Sequence, residues 1–162
     1  MNILIACEES QEVCKEMRGL GHEAYSADIQ DCSGGYPEWH IKGDVLLIIN
    51  GRCSFTTWDG SFHTLSGTWD LIIGHPPCTY LTKAGACRMY SNGMIDSKRF
   101  NLAMAAKAFF FALYNADCPH IALENPVPMS MIGLPAYSQL IQPYQFGDPY
   151  SKKTCLWLKG LP

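Results

Sequence analysis

The stretch Asp70-Leu71-Ile72-Ile73-Gly74-His75-Pro76-Pro77-Cys78 constrains the fold more than any other part of the chain. Its aliphatic run reads as a buried strand. Two consecutive prolines, each with a fixed φ and no amide hydrogen, end its pairing and hold the next residue in a stiff turn. If Leu71 to Ile73 is a central strand of an open α/β sheet, Cys78 stands beyond its carboxyl end, where such sheets bind ligands. A lone thiol there is more often just a buried loop cysteine, so the rest of the chain has to weigh in.

Apolar runs recur before and after it. Strands are expected near residues 2–7, 22–28, 45–49, 69–74, 120–124 and 154–159, with helical patterns between some of them. The first helix follows Glu8-Glu9, is capped by Ser10, and carries Val13, Met17 and Leu20 to an end at Gly19 or Gly21. Asp96 caps a long helix whose Phe100, Ala103, Met104, Phe110, Phe111 and Tyr114 form a broad apolar face. Residues 31–42 read as loop. Asn50-Gly51 and Asp59-Gly60 are hairpin signals and predict an antiparallel meander over residues 50–66, equally a lid or an edge extension. Residues 127–150, rich in proline, read as loop with one helical turn near 137–141. The pattern predicts one α/β domain over residues 1–162: a Rossmann-like, mostly parallel three-layer sheet with the meander inserted.

The net charge of -3 lacks the footprint of a protein gripping duplex nucleic acid through many phosphates, although Lys98-Arg99 and Lys152-Lys153 are local basic pairs. The eight cysteines include no Cys-x-x-Cys pair, so no zinc ribbon or thioredoxin-like motif is indicated and reduced thiols are expected. The apolar opening runs straight into Glu8-Glu9, unlike a secretory signal, and no stretch approaches the ~20 apolar residues of a membrane helix. A cytoplasmic protein with no membrane partner is expected.

A second strand also stops at a proline and carries functional groups at its tip: Ile121-Ala122-Leu123, then Glu124-Asn125-Pro126. Parallel neighbours would bring Cys78 and Glu124 to one sheet edge. Asp28 closes the expected second strand, where a carboxylate can accept hydrogen bonds from a ribose.

Together these residues resemble the cytosine-5 methyltransferases. Aspartate, aliphatic strand, glycine, Pro-Pro-Cys and then Ala84-Gly85 follow the family pattern, and Glu124-Asn125-Pro126 looks like its Glu-Asn-Val. The resemblance covers about residues 2–126, extends to short methyltransferase-like proteins of bacteriophage genomes, and implies a class I methyltransferase-like fold. It implies catalysis by Cys78 and Glu124 with Asn125 beside them, the thiolate adding to cytosine C6 and the carboxyl group attending N3. It implies S-adenosylmethionine as cofactor, held by Cys7, Glu8, Glu9, Ser10, Asp28 near the ribose, Asp44 near the adenine, and Pro76. Substrate contacts fall to His75, Pro77, Thr79, Tyr80 and, where the family has an arginine motif, Lys152 and Lys153. The partners implied are a cytosine-containing DNA or nucleotide and, in the absence of a target-recognition region, a helper protein or second copy. Cys7-Glu8-Glu9-Ser10-Gln11 stands where the family has a glycine-rich loop. A nucleotide-binding module without chemistry, acting as an inhibitor or sponge, is the alternative.

Overall fold

The computed structural model describes all 162 residues. In chain order the elements are β1 (Asn2–Ala6), α1 (Glu12–Gly19), β2 (Glu23–Asp28), β3 (His40–Lys42), β4 (Ser54–Thr56), β5 (Phe62–Thr64), β6 (Leu71–Gly74), β7 (Tyr90–Ser91), β8 (Met94–Ile95), α2 (Ser97–Tyr114), β9 (Ile121–Pro126), β10 (Gln139–Ile141) and β11 (Thr154–Lys159). Seven strands form one sheet in the order β10-β11-β9-β6-β1-β2-β3. From β3 to β9 all pairs are parallel, whereas β11 runs antiparallel to both β9 and β10. Chain order reverses direction across the sheet between β1 and β6, and the crevice beyond such a reversal is where open α/β sheets bind ligands.

Strand alternation sorts the core into two faces. Leu4, Ala6, Ile72, Ile121, Leu123, Cys155 and Trp157 face α2 and are buried with its Ala103, Phe110 and Leu113. Ile3 and Ile5 face the other way and pack with Cys14 and Ala24 under α1. That second face is covered only in part. The register places Leu71, Ile73, Ala122, Leu156 and Leu158 on it, and each is only partly buried, because no α-helix follows β9 and α1 spans eight residues. The expected third layer is therefore one short helix over β1 and β2.

Three local expectations are corrected. Residues 45–49 form no strand: Asp44 accepts from the Leu46 amide at 3.0 Å and winds Val45–Leu47 into a 3-10 turn. The sheet position goes instead to His40–Lys42, from the supposed loop, where buried His40 joins Ser26 Oγ at 2.9 Å and the Gln30 carbonyl at 3.1 Å. Residues 139–141 are a strand, not a helical turn, because they pair with β11. Residues 50–66 contain a two-stranded hairpin, β4 and β5, separate from the main sheet. Its Phe55 packs edge-on to Tyr25 at 5.1 Å and against Trp69, while Thr57 and Tyr25 both reach His63. Such packing seats the hairpin on Tyr25 and Trp69 without joining it to the main sheet. The long helix is capped as expected, Asp96 accepting from the Arg99 amide at 2.8 Å. No helix is long and apolar enough to cross a membrane.

Candidate active site

The two proline-stopped strands are parallel neighbours, β6 and β9, with Gly74 opposite Leu123. The Pro76-Pro77-Cys78 turn and the Glu124-Asn125-Pro126 tip therefore leave the same edge of the sheet. Cys78 is exposed, and its carbonyl accepts from the amides of Leu81 and Thr82, which folds the following residues back against β9's exit through Lys83 N to Val127 O at 3.0 Å. Asn125 is buried and faces the α2 side, opposite to Glu124. Its Nδ2 donates to the Pro76 carbonyl at 2.7 Å. This bond ties the two motifs together, so Asn125 positions the prolyl turn.

Glu124 lies half-buried on the α1 side, its Oε2 3.5 Å from His75 Nδ1. His75 Nε2 is shut off from solvent and has no hydrogen-bond partner. Read from sequence as a substrate contact, His75 is placed by the structure as Glu124's neighbour. Alternation explains it: residue 75 follows strand position 73, on the same face as Ala122 and Glu124.

A cavity of about 240 Å³ opens beside the crevice, walled by Ala27, Val45, Phe109 and Pro77 and lined by Cys7, Asp28 and Asp44. Burial first, then the Asp28 and Asp44 carboxylates, push the Cys7 thiol up to about 12, which keeps it protonated and unreactive at neutral pH. Cys7 also lines a second hollow, of about 320 Å³, with Glu8, Glu9, Ser10, Glu12 and His75. Of the residues assigned to the cofactor from sequence, Pro76 alone lines neither; it is buried under the turn.

The β1–α1 connection achieves a glycine-like path without glycine. Cys7 and Gln11 adopt left-handed backbone, φ 62° and 60°. Gln11 rather than Ser10 occupies the cap position, with no side-chain cap bond; Glu8 performs that task from below. Its carboxylate accepts from the Val13 amide at 2.6 Å and the Cys14 amide at 3.2 Å, and burial raises its pKa against the lowering effect of those bonds. The start of α1, the usual seat of a ligand phosphate, is thus filled by the protein's own anion. Buried Gln11 clamps the 32–36 loop through Tyr36 N and O at 3.0 and 2.9 Å, and Gly34 sits so tightly on Ser10 and Gln11 that no side chain fits there.

The remaining assigned residues lie at the rim. The Thr79 carbonyl accepts from Arg99 Nη2 at 3.2 Å, and the same guanidinium covers the Tyr80 ring at 5.0 Å. Lys152 and Lys153 are exposed in the β10–β11 connection, which reaches this edge because Thr154 pairs with Pro126. Sequence reasoning named Arg99 only as half of a basic pair, and it missed the Gln11 clamp and the His75–Glu124 pairing. The spacing of Arg99 from the Asp96 cap hints only at a helix start, and nothing local announces the other two. No group of three or more His, Cys, Asp or Glu side chains is arranged to hold a metal ion. No protein-family model matches the chain, and no curated protein matches its sequence.

Proposed function

We propose that this protein is a cytosine-5-type methyltransferase that uses Cys78 and Glu124 on a cytosine-containing nucleic acid or nucleotide with S-adenosylmethionine as methyl donor. The observation that carries the reading is the meeting of Pro76-Pro77-Cys78 and Glu124-Asn125-Pro126 at adjacent parallel strand ends, one strand from a cavity at the chain reversal.

The residues present fit such a cofactor in two parts. Apolar Ala27, Val45 and Phe109 with the carboxylates of Asp28 and Asp44 suit an adenosyl group. Glu8, Glu9 and Glu12 around the neighbouring hollow suit a sulfonium and an ammonium cation, while Glu8 at the start of α1 opposes a phosphate. When bound, the cofactor supplies an electrophilic methyl group. Cys78 Sγ as thiolate bonds to C6 of the pyrimidine, the C5–C6 π pair moves to C5, and a proton held at Glu124 attends N3. With the methyl group passed to that C5 pair and the neutral thioether leaving, the C5 proton would go to water, and the Sγ–C6 bond would break as the C5–C6 double bond re-forms and the thiolate returns. His75 holds the Glu124 carboxyl group in place and has one ring nitrogen free of other bonds. A fold that binds a nucleotide without chemistry is the second reading. What sets it against the first reading is that the amides of Cys7 and Glu8 are both spent on the Ala27 carbonyl, at 2.7 and 3.2 Å, so the loop beyond β1 keeps neither for the cofactor.

Transfer of a labelled methyl group to cytosine-containing substrates tests the first reading. Wild-type transfer lost in Cys78→Ser, with S-adenosylmethionine affinity kept, supports it. Cofactor binding with no transfer to DNA, RNA or nucleotides supports the second.

A further inference from the structure

The connection between β10 and β11 carries an unusual surface. Tyr144, Phe146 and Tyr150 are 57%, 72% and 56% exposed, within seven residues, and Lys152 and Lys153 follow directly. The segment is held in shape. Gln142 N donates to Gln145 Oε1 at 2.7 Å, Gln145 N donates to the Gln142 carbonyl at 3.0 Å, and Gly147, at φ 101°, closes the turn. Its place follows from the register: Ile141 opposes Thr154 and Thr154 opposes Pro126, so residues 142–153 project beyond the same edge as Cys78 and Glu124.

Charge divides the chain at this site. Residues 1–77 hold four lysines and arginines against eleven acidic residues, a balance of −7; residues 78–162 hold eight against four, a balance of +4. The overall -3 conceals this asymmetry. The half that lines the cavity repels polyanions, and the half that carries Cys78 and the aromatic segment attracts them.

We infer that residues 142–153 are a grip for single-stranded nucleic acid, with unpaired bases stacking on Tyr144, Phe146 and Tyr150 and phosphates on Lys152 and Lys153. Exposed rings beside cations at one edge are the elements of sequence-tolerant single-strand binding, since every base offers a π face. Extruding a base from a duplex costs a few kcal/mol and needs a broad basic clamp, whereas an unpaired cytosine enters a pocket without that cost. The inference deepens the methyltransferase reading by naming the form of its polymer, and it rests on that reading for its link to Cys78.

The test is fluorescence anisotropy of a labelled 12-nucleotide oligo-dC, alone and annealed to its complement, with the full chain at several salt concentrations. Single-strand binding about tenfold or more tighter than duplex is expected. Phe146→Ala and Tyr150→Ala should each weaken it on the order of tenfold at unchanged Tm. Replacing both lysines by Gln should flatten the log Kd against log salt plot by about 1.4, at ~0.7 for each phosphate contact on a single strand. Duplex binding as tight or tighter, or wild-type affinity in the aromatic variants, overturns the inference. Binding here needs neither cofactor nor thiol. Oligomer binding without methyl transfer would therefore retain this grip and remove the enzyme, and transfer to free nucleotides without oligomer binding would do the reverse.

Discussion

The ends of β1 and β6 are neighbours in the sheet and are built in opposite ways. Beyond β1 the chain is locked from within: Cys7 is left-handed, the Cys7 and Glu8 amides share one carbonyl, Glu8 fills the start of α1, and Gln11 clamps a second loop. Beyond β6 the chain is held by two prolines and one bond from Asn125, and it presents Cys78 to solvent. The difference teaches where each task resides. The β1 end has spent its polar groups on its own chain, while the β6 end leaves the Cys78 thiol exposed, which under the proposed function divides cofactor wall from nucleophile.

Variants at the two ends should separate cleanly. The largest effect falls at the β6 and β9 tips. Glu124→Gln should lower kcat by roughly 10²–10⁴-fold, the usual worth of a general acid, with Tm within a degree or two of wild type. A full-rate variant would break the comparison. Next comes Gly34→Ala, whose methyl group meets Ser10 and Gln11. Overpacking of this kind costs about 1–3 kcal/mol, visible as a lower midpoint in urea, and should leave thiol chemistry at Cys78 unchanged.

Glu8→Gln sharpens the contrast through pH. Burial raises the folded-state pKa of Glu8 above its ordinary 4.5, so the folded protein binds that proton more tightly than the unfolded chain. The stability Glu8 contributes is full below 4.5 and is lost as pH rises through the higher folded value. The Tm of Glu8→Gln relative to wild type should therefore shift upward between pH 4 and pH 7; a difference constant over that range contradicts the buried-carboxylate account. The smallest effect lies away from both ends. Hydrogen bonds from Thr57 first, then Ser61, hold the Asp59 carboxyl down to about 2, so its contribution persists until pH falls through that value. Asp59→Asn should shift the acid unfolding profile slightly and leave neutral-pH activity alone.

What the sequence disclosed and what it hid divide along physical lines. The strands β1, β6, β9 and β11 were legible because each carries a continuous apolar run whatever covers it, and the Asp96 cap because it acts within four residues. Residues 45–49 misled because Val45, Ile48 and Ile49 are as apolar as a strand, yet they are buried under α2's side of the sheet. Nothing in His40 announced that Ser26 and Gln30 would hold it inside the sheet. At the site, the parallel adjacency of β6 and β9 follows from apolar pattern and chain order. The His75–Glu124 pair crosses 49 residues, and the Glu8 cap is signalled by no helix-start motif.

The central claim is that Cys78 becomes bonded to a pyrimidine during turnover. Mass spectrometry of the protein incubated with S-adenosylmethionine and an oligonucleotide containing 5-fluorocytosine tests it directly, because fluorine at C5 prevents the final loss of a proton and traps the adduct. The account predicts one covalent adduct, mapped to the peptide bearing Cys78, absent in Cys78→Ser and absent without cofactor. An unmodified Cys78 under conditions where the cofactor is bound, or an adduct on any of the other seven thiols, would contradict it.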